Sequence, residues 1–360
     1  MKTKHLLWLA IVAIMPLISC SAKSTDDKSS NPEVAYGNNP AFNTDFLKNL
    51  EVDVANIPDL SVPVGEQLPD YSYLKLDQVF RLLPMVKDGG YELSDDIFFI
   101  KGAKALAGGY TMLLYGFETG DDASLEMLAV YDKDGKISDY IDLGDMEAFI
   151  ILKEDEDSRG GTARSTSLTM SFPSAAEFAL DRTVKEGGFQ FSEERASEVT
   201  DCKMMIESVL RYTVDDKGHL ALAEEKEVRR SGAISPKAEY GEKAAMLSLL
   251  PMSDPGRIDR LNGFAKEMLA KVGCDDCDEG FCCDILSVVQ SYYDSNPQAL
   301  LEWIYEKRDV ENEIVKYLKK TFDDGWRNKH DLTRQIGKLA DAGARNYLEN
   351  LTDGWASDAK

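Results

Sequence analysis

The hydrophobic pattern of this chain changes period near residue 235, and that switch constrains the fold more than any single motif. Upstream, short apolar runs with period-two character are divided by Gly, Asp and Asn: DIFFIK (96–101), YTMLLYGF (110–117), EMLAVYD (126–132), KISDYIDL (136–143), AFIILK (148–153), TSLTMSF (166–172), EFALDRT (177–183), KMMIESVLRYTV (203–214) and HLALAEE (219–225). Several alternate apolar and polar residues, as a half-buried antiparallel strand requires. Two of the turns are alike. Tyr131-Asp-Lys-Asp-Gly135 and Val214-Asp-Asp-Lys-Gly218 each place a glycine where a tight hairpin needs positive φ. A meandering antiparallel sheet, sandwich or barrel-like, follows for residues 73–235. The polar insert KEDEDSRGGTARS (153–165) reads as a mobile loop.

Downstream the period is helical. Asp254-Pro255 and Asn296-Pro297 set a capping side chain before a proline at a first helical position. Ile258, Leu261, Phe264, Ala265, Met268 and Leu269 share a face, as do Ile285, Leu286, Val289 and Tyr292. Val310, Ile314, Leu318 and Phe322 mark a further helix, and Leu332, Ile336, Leu339, Tyr347 and Leu351 another. These last two end alike, in Asp324-Gly325-Trp326 and Asp353-Gly354-Trp355, the pattern of a glycine C-cap with an apolar latch. The tryptophans read as packing latches rather than sugar-stacking platforms. The fold class is therefore α+β, a β domain (73–235) followed by an all-α domain (236–360). Ahead of both, Pro58, Pro63 and Pro69 make residues 46–72 an extended segment, and LDQVFRLLPMV (76–86) forms a short helix that stops before Pro84.

The N-terminus carries the clearest functional signal. Lys2 and Lys4 precede the apolar run Leu6–Leu17, which is too short for a membrane span and has the form of a signal peptide. It ends Leu17-Ile18-Ser19-Cys20, which resembles the lipobox of bacterial lipoproteins. That resemblance covers only the first 20 residues. It implies removal of residues 1–19, acylation of Cys20 and a membrane held through acyl chains at ~0.8 kcal/mol per buried methylene. Ser21 resembles the outer-membrane sorting choice of Gram-negative lipoproteins, and Asp26-Asp27 the short acidic signals that direct some of them to the cell exterior. Residues 20–45, rich in Ser, Asn, Asp and Lys, read as a flexible tether of roughly 25–30 Å.

Charge excludes one class of partner. Loss of Lys2 and Lys4 takes the formal net charge from −23 to −25. Such a surface repels phosphate backbones, so nucleic acid is not an expected partner; membrane contact is expected from the lipid anchor, and the ligand, which the sequence does not name, is expected to be a protein or a glycan.

Residues 273–284, GCDDCDEGFCCD, hold four of the six cysteines. A reactive thiol is opposed by the surrounding carboxylates. A zinc knuckle starting Cys274-x2-Cys277 and continuing to Cys282 would need a ligand at Ser287, although Cys283 could complete four sulfurs. Export permits disulfides. The reading adopted is a covalent staple of Cys274, Cys277, Cys282 and Cys283, favouring nested Cys274–Cys283 and Cys277–Cys282 among three connectivities, with no metal and with Cys202 left as a buried free thiol. Asp132-x-Asp134-Gly135 fails as an EF-hand, because positions one and twelve fall on Val130 and Ile141. No GxSxG, HExxH, Walker or GxGxxG motif occurs, and no catalytic residue or cofactor is assigned. The expected role is a non-enzymatic, lipid-anchored outer-membrane or cell-surface protein serving binding or assembly. The alternative is a carboxylate-dependent, glycosidase-like hydrolase acting on envelope or external polysaccharide.

Overall fold

The structure is a computed structural model and describes residues 45–55, 57–60, 72–84, 97–119, 123–154, 160–190, 198–233, 236–254, 256–272, 289–290, 292–293, 296–309, 312–323 and 328–355. Cys20, the signal and tether up to residue 44, and Cys274, Cys277, Cys282 and Cys283 lie outside the described residues.

The chain is α+β, with two antiparallel five-stranded sheets followed by helices. The first sheet runs in chain order: β1 (Ser72–Leu74), β2 (Phe98–Ala105), β3 (Thr111–Thr119), β4 (Ala123–Tyr131) and β5 (Ile137–Gly144). The second is β6 (Phe149–Glu154), β7 (Gly160–Ser174), β8 (Glu177–Gln190), β9 (Asp201–Val214) and β10 (Leu220–Ser231), again with consecutive strands as neighbours. Each apolar run named above overlaps one of β2 to β10. Two short helices flank β1: α1 (Asp45–Lys48) and α2 (Leu76–Leu82).

The first sheet is buried on both faces. Ile100, Leu113, Tyr115, Ala129 and Tyr131 share one core with α1, α2 and the C-terminal helices. The alternate residues Met112, Leu114, Leu128, Val130, Ile141 and Leu143 share a second core with Leu168, Phe178, Leu180, Leu210 and Tyr212 of the second sheet. Burial on both faces explains why MLLY and LAVY are continuously apolar, whereas SLTMS in the second sheet alternates. In the first core, Tyr115 Oη donates to Tyr131 Oη (3.0 Å), which donates to the Leu82 carbonyl (2.9 Å), so both buried hydroxyls are satisfied.

The C-terminal helices are α3 (Pro236–Ser248), α4 (Arg257–Val272), α5 (Pro297–Glu306), α6 (Glu313–Asp323), α7 (Lys329–Gly337) and α8 (Ala342–Thr352). α3 packs on α4 and touches β5; α4 packs on α6, and α5, α7 and α8 pack on one another. Asn296 caps α5 as its sequence signature requires, its side chain accepting from the Ala299 N–H. Asp254 instead accepts from the Gly256 N–H, and α4 starts at Arg257.

Several local expectations are corrected. Asp45, read as the end of the tether, and residues 46–48 of the stretch read as extended form a helix, Asp45–Lys48, in which Phe46 and Leu47 are buried and Phe46 stacks on Tyr131 at 5.5 Å. Farther along that stretch Pro58 and Asp59 are extended, bridging β2 at Ala103. Gly160–Ser165, read as loop, are the first residues of β7, since Lys185–Gln190 of β8 supply a complete antiparallel ladder for them. The helix expected from Leu332 to Leu351 is two helices. Asp341 breaks it by capping the N–H groups of Gly343 and Ala344, a turn-forming competition that apolar periodicity does not register. Gly354 is not in the left-handed region; Trp355 N–H closes a tight turn on the Thr352 carbonyl (3.0 Å), while its ring is buried and lies 6.2 Å from Phe322. Asp324-Gly325-Trp326 lies outside the described residues. Cys202, the second residue of β9, is exposed rather than buried, with Sγ donating to the Met204 carbonyl.

Candidate functional site: a polar cleft between the first sheet and the helices

A cleft of about 480 Å³ opens where the start of β5 meets the N-terminus of α5 and one side of α7. β5 contributes Ile137, Ser138, Asp139 and Tyr140; the segment ahead of α4 contributes Met252 and Ser253; the helices contribute Tyr293, Asn296, Gln298, Asp331, Gln335 and Lys338. The β4–β5 hairpin positions the first group. Gly135 takes φ +79°, and the Asp132 carboxylate accepts from the Asp134 and Lys136 N–H groups (both 2.9 Å), fixing where β5 starts. The ladder then skips a residue, Tyr131 facing Ile137 and Val130 facing Asp139, so Ser138 is a bulge residue without a cross-strand partner. Bulges of this kind re-aim a side chain, and this one lies at the cleft wall.

Asp139 is the structural centre of the region. It is 3% exposed. Oδ1 accepts from the N–H groups of Tyr140 (2.8 Å) and Ser253 (3.0 Å); Oδ2 accepts from the Leu220 N–H (2.8 Å) and the Ser253 hydroxyl. One carboxylate thus joins the first sheet, the edge of the second sheet and the segment leading to α4. Burial raises its pKa, and the hydrogen bonds offset this only in part. Nearby, Asp142 is raised for the same reason, and Arg257, 2% exposed at the start of α4 and 5.3 Å from the Tyr292 ring centroid, is lowered by burial.

The helical wall is equally pre-set. Gln298 Nε2 donates to both the carbonyl (3.0 Å) and the side-chain oxygen (3.2 Å) of Gln335, which is 3% exposed. Asp331 accepts from Tyr293 Oη (3.2 Å), from Arg334 and from Gln335 Nε2 (3.4 Å). The cleft therefore holds two carboxylates, but the chain's own donors occupy both. Such an arrangement favours binding of a polar ligand over proton transfer, which needs a carboxyl group with an oxygen directed at substrate.

A second hollow, about 420 Å³, lies between β8–β10 and α3–α4. Its charges are largely matched in place: Arg182 with Glu242, Arg230 with Glu227 (2.6 Å), and Lys243 with Glu267 (3.1 Å). Arg182–Glu242 joins β8 to α3 and Lys243–Glu267 joins α3 to α4, while Arg230–Glu227 lies within β10.

None of the cysteines assigned from sequence lines the cleft, Cys202 lying on β9 and the others outside the described residues, whereas Asn296 and Pro297, read from sequence only as a helix start, do line it. Asp139 had one usable signal, an acidic residue inside an otherwise strand-like run, where Asp is disfavoured unless its carboxylate is bonded. Gln298 and Gln335 had none, because 37 residues separate them and only packing of α5 on α7 brings them together. Among the described residues no cluster of His, Cys, Asp and Glu could hold a metal ion. Comparison with protein-family models, with curated proteins and with solved structures returns no match to this chain.

Proposed function

We propose that the chain is a lipid-anchored outer-membrane or cell-surface protein with a binding role, and that the polar cleft is its ligand site. The observation that carries the anchoring is the basic, apolar and Leu17-Ile18-Ser19-Cys20 sequence at the N-terminus. What supports binding rather than the alternative hydrolysis is the engagement of Asp139 and Asp331 by internal donors. We further infer that the two sheets stack as a sandwich rather than close into a barrel. Support comes from the core they share and from the placement of the consecutive strands β5 and β6 in different sheets.

Metabolic labelling with a palmitate analogue in a Gram-negative host tests the anchor. The wild-type chain is expected to incorporate the label and fractionate with outer membranes, and Cys20→Ala to do neither. Undiminished labelling of Cys20→Ala would refute the anchoring.

A further inference from the structure

We propose that the cleft binds a neutral saccharide of one or two rings through its hydroxyl groups. The inference deepens the binding reading above and rests on it for the cleft's role, but not on the anchor. The cleft's donor and acceptor set points to this ligand class. Lys338 can only donate, and Ser138, Asn296 and Gln298 offer both kinds of atom, while the two carboxylates are taken up by internal donors. Several of these groups retain capacity. Asn296 uses its oxygen as the α5 cap, leaving its amide N–H groups; Gln298 uses its nitrogen on Gln335, leaving its oxygen; and Lys338 makes no ion pair among the described residues. A hydroxyl both donates and accepts, so a ligand bearing several at short spacing matches such a mixed wall at every position.

Other chemistries fit less well. An anion would meet two carboxylates against one lysine in a chain of net charge −23. A wholly apolar molecule would match Ile137, Met252 and Pro297 but would strip water from Ser138, Asn296, Gln298 and Lys338 without replacing their hydrogen bonds. An extended peptide adding to the β5 edge would need the Tyr140 carbonyl, which already accepts from the Met252 N–H at 2.9 Å. The volume of about 480 Å³ lies in the range of small-molecule sites. Because Gln298 and Gln335 hold one another, the amide plane is oriented before the ligand arrives, which lowers the ordering cost of binding.

The test uses the full chain in detergent. Its probes are a panel of neutral mono- and disaccharides (gluco, manno, galacto and N-acetylglucosamine series), a uronic-acid disaccharide and a neutral tripeptide, read by saturation-transfer NMR and calorimetry. At least one neutral saccharide is expected to bind. Gln298→Ala and the exposed-site change Lys338→Ala should each weaken it by tenfold or more, while Glu267→Ala, in the other hollow, leaves it unchanged. Thermal melts identify any variant that fails to fold, and Lys338→Ala, outside the buried floor, keeps the comparison informative. No binding across the neutral panel, binding indifferent to both cleft variants, or preference for the uronate or the tripeptide would each overturn the proposal. Cys20→Ala run alongside separates the claims: saccharide binding retained without acylation is expected, and saccharide binding absent from a normally acylated protein sinks the ligand assignment alone.

Discussion

At the scale of single residues, Asp139 shows how a buried charge is kept when it joins several elements. Its carboxylate accepts from three backbone N–H groups and one hydroxyl. Asp139→Ala would leave those donors without their acceptor, at about 1–3 kcal/mol for each one left buried and unsatisfied, so a loss of about 3 kcal/mol or more in unfolding free energy is expected by urea denaturation. The pH dependence has a definite sign. Burial holds the folded pKa above its ordinary 3.8. The native state therefore binds the proton more tightly than the unfolded chain. The group's contribution to stability is greatest below the unfolded value and is lost as pH rises through the folded one. Asp139→Asn removes this titration. The stability of wild type minus that of Asp139→Asn should accordingly decline as pH is raised from about 3 to about 6. A difference that grows with pH would show that the hydrogen bonds, not desolvation, dominate this carboxyl.

At the scale of elements, the two look-alike hairpins are built the same way. Asp132 and Asp215 each accept from the residues two and four positions on, and Gly135 (φ +79°) and Gly218 (φ +76°) close the turns. Each glycine is also covered by an aromatic residue from elsewhere: Phe46 of α1 lies over Gly135, and Tyr110, just ahead of β3, over Gly218. A Cβ would come within 2.8 Å of Phe46 or 2.5 Å of Tyr110. Gly109, at φ +82°, has nothing within 4 Å of an added Cβ and so isolates the backbone cost. Gly109→Ala should cost about 1 kcal/mol from positive φ alone. Gly135→Ala and Gly218→Ala should cost more, about 2–4 kcal/mol, because displacement of a packed ring adds to the strain. Equal losses at all three positions in chemical denaturation would mean the aromatic covers are not tightly held.

At the scale of the whole molecule, the helices, the first sheet and the second sheet are linked through two cores that share the first sheet. The division at residues 235 and 236 is a change of secondary structure, and the hydrophobic interior crosses it. The cysteine cluster belongs to this scale too, since its chemistry depends on where the chain resides. If it is a cystine staple, thiol counting on the denatured, purified exported protein should find one free thiol, that of Cys202, with no bound zinc. Four additional thiols accompanied by stoichiometric zinc would establish a metal site instead. A closed loop of about 15 residues is worth ~3 kcal/mol in the entropy model, and the proposed loops are shorter. Reduction should therefore loosen the helices near residues 274–283 and lower the melting temperature of the rest little.

What the sequence determined by itself was local. Period-two and helical patterns are imposed by the angle between successive side chains, so they located β2 to β10 and the switch to helices near residue 235. Asp-x-x-Gly turns are likewise short-range, and both hairpins formed where the residues demanded them. The tertiary structure decided everything that depends on distant partners. β7 extends through Gly160–Ser165 because β8 continues alongside it, and α1 forms because Phe46 finds Tyr131. The cleft is the clearest case. Ser138, Gln298 and Gln335 are ordinary residues in sequence, and their common wall exists only because β5, α5 and α7 converge, a juxtaposition set by burial of apolar surface that no local pattern encodes.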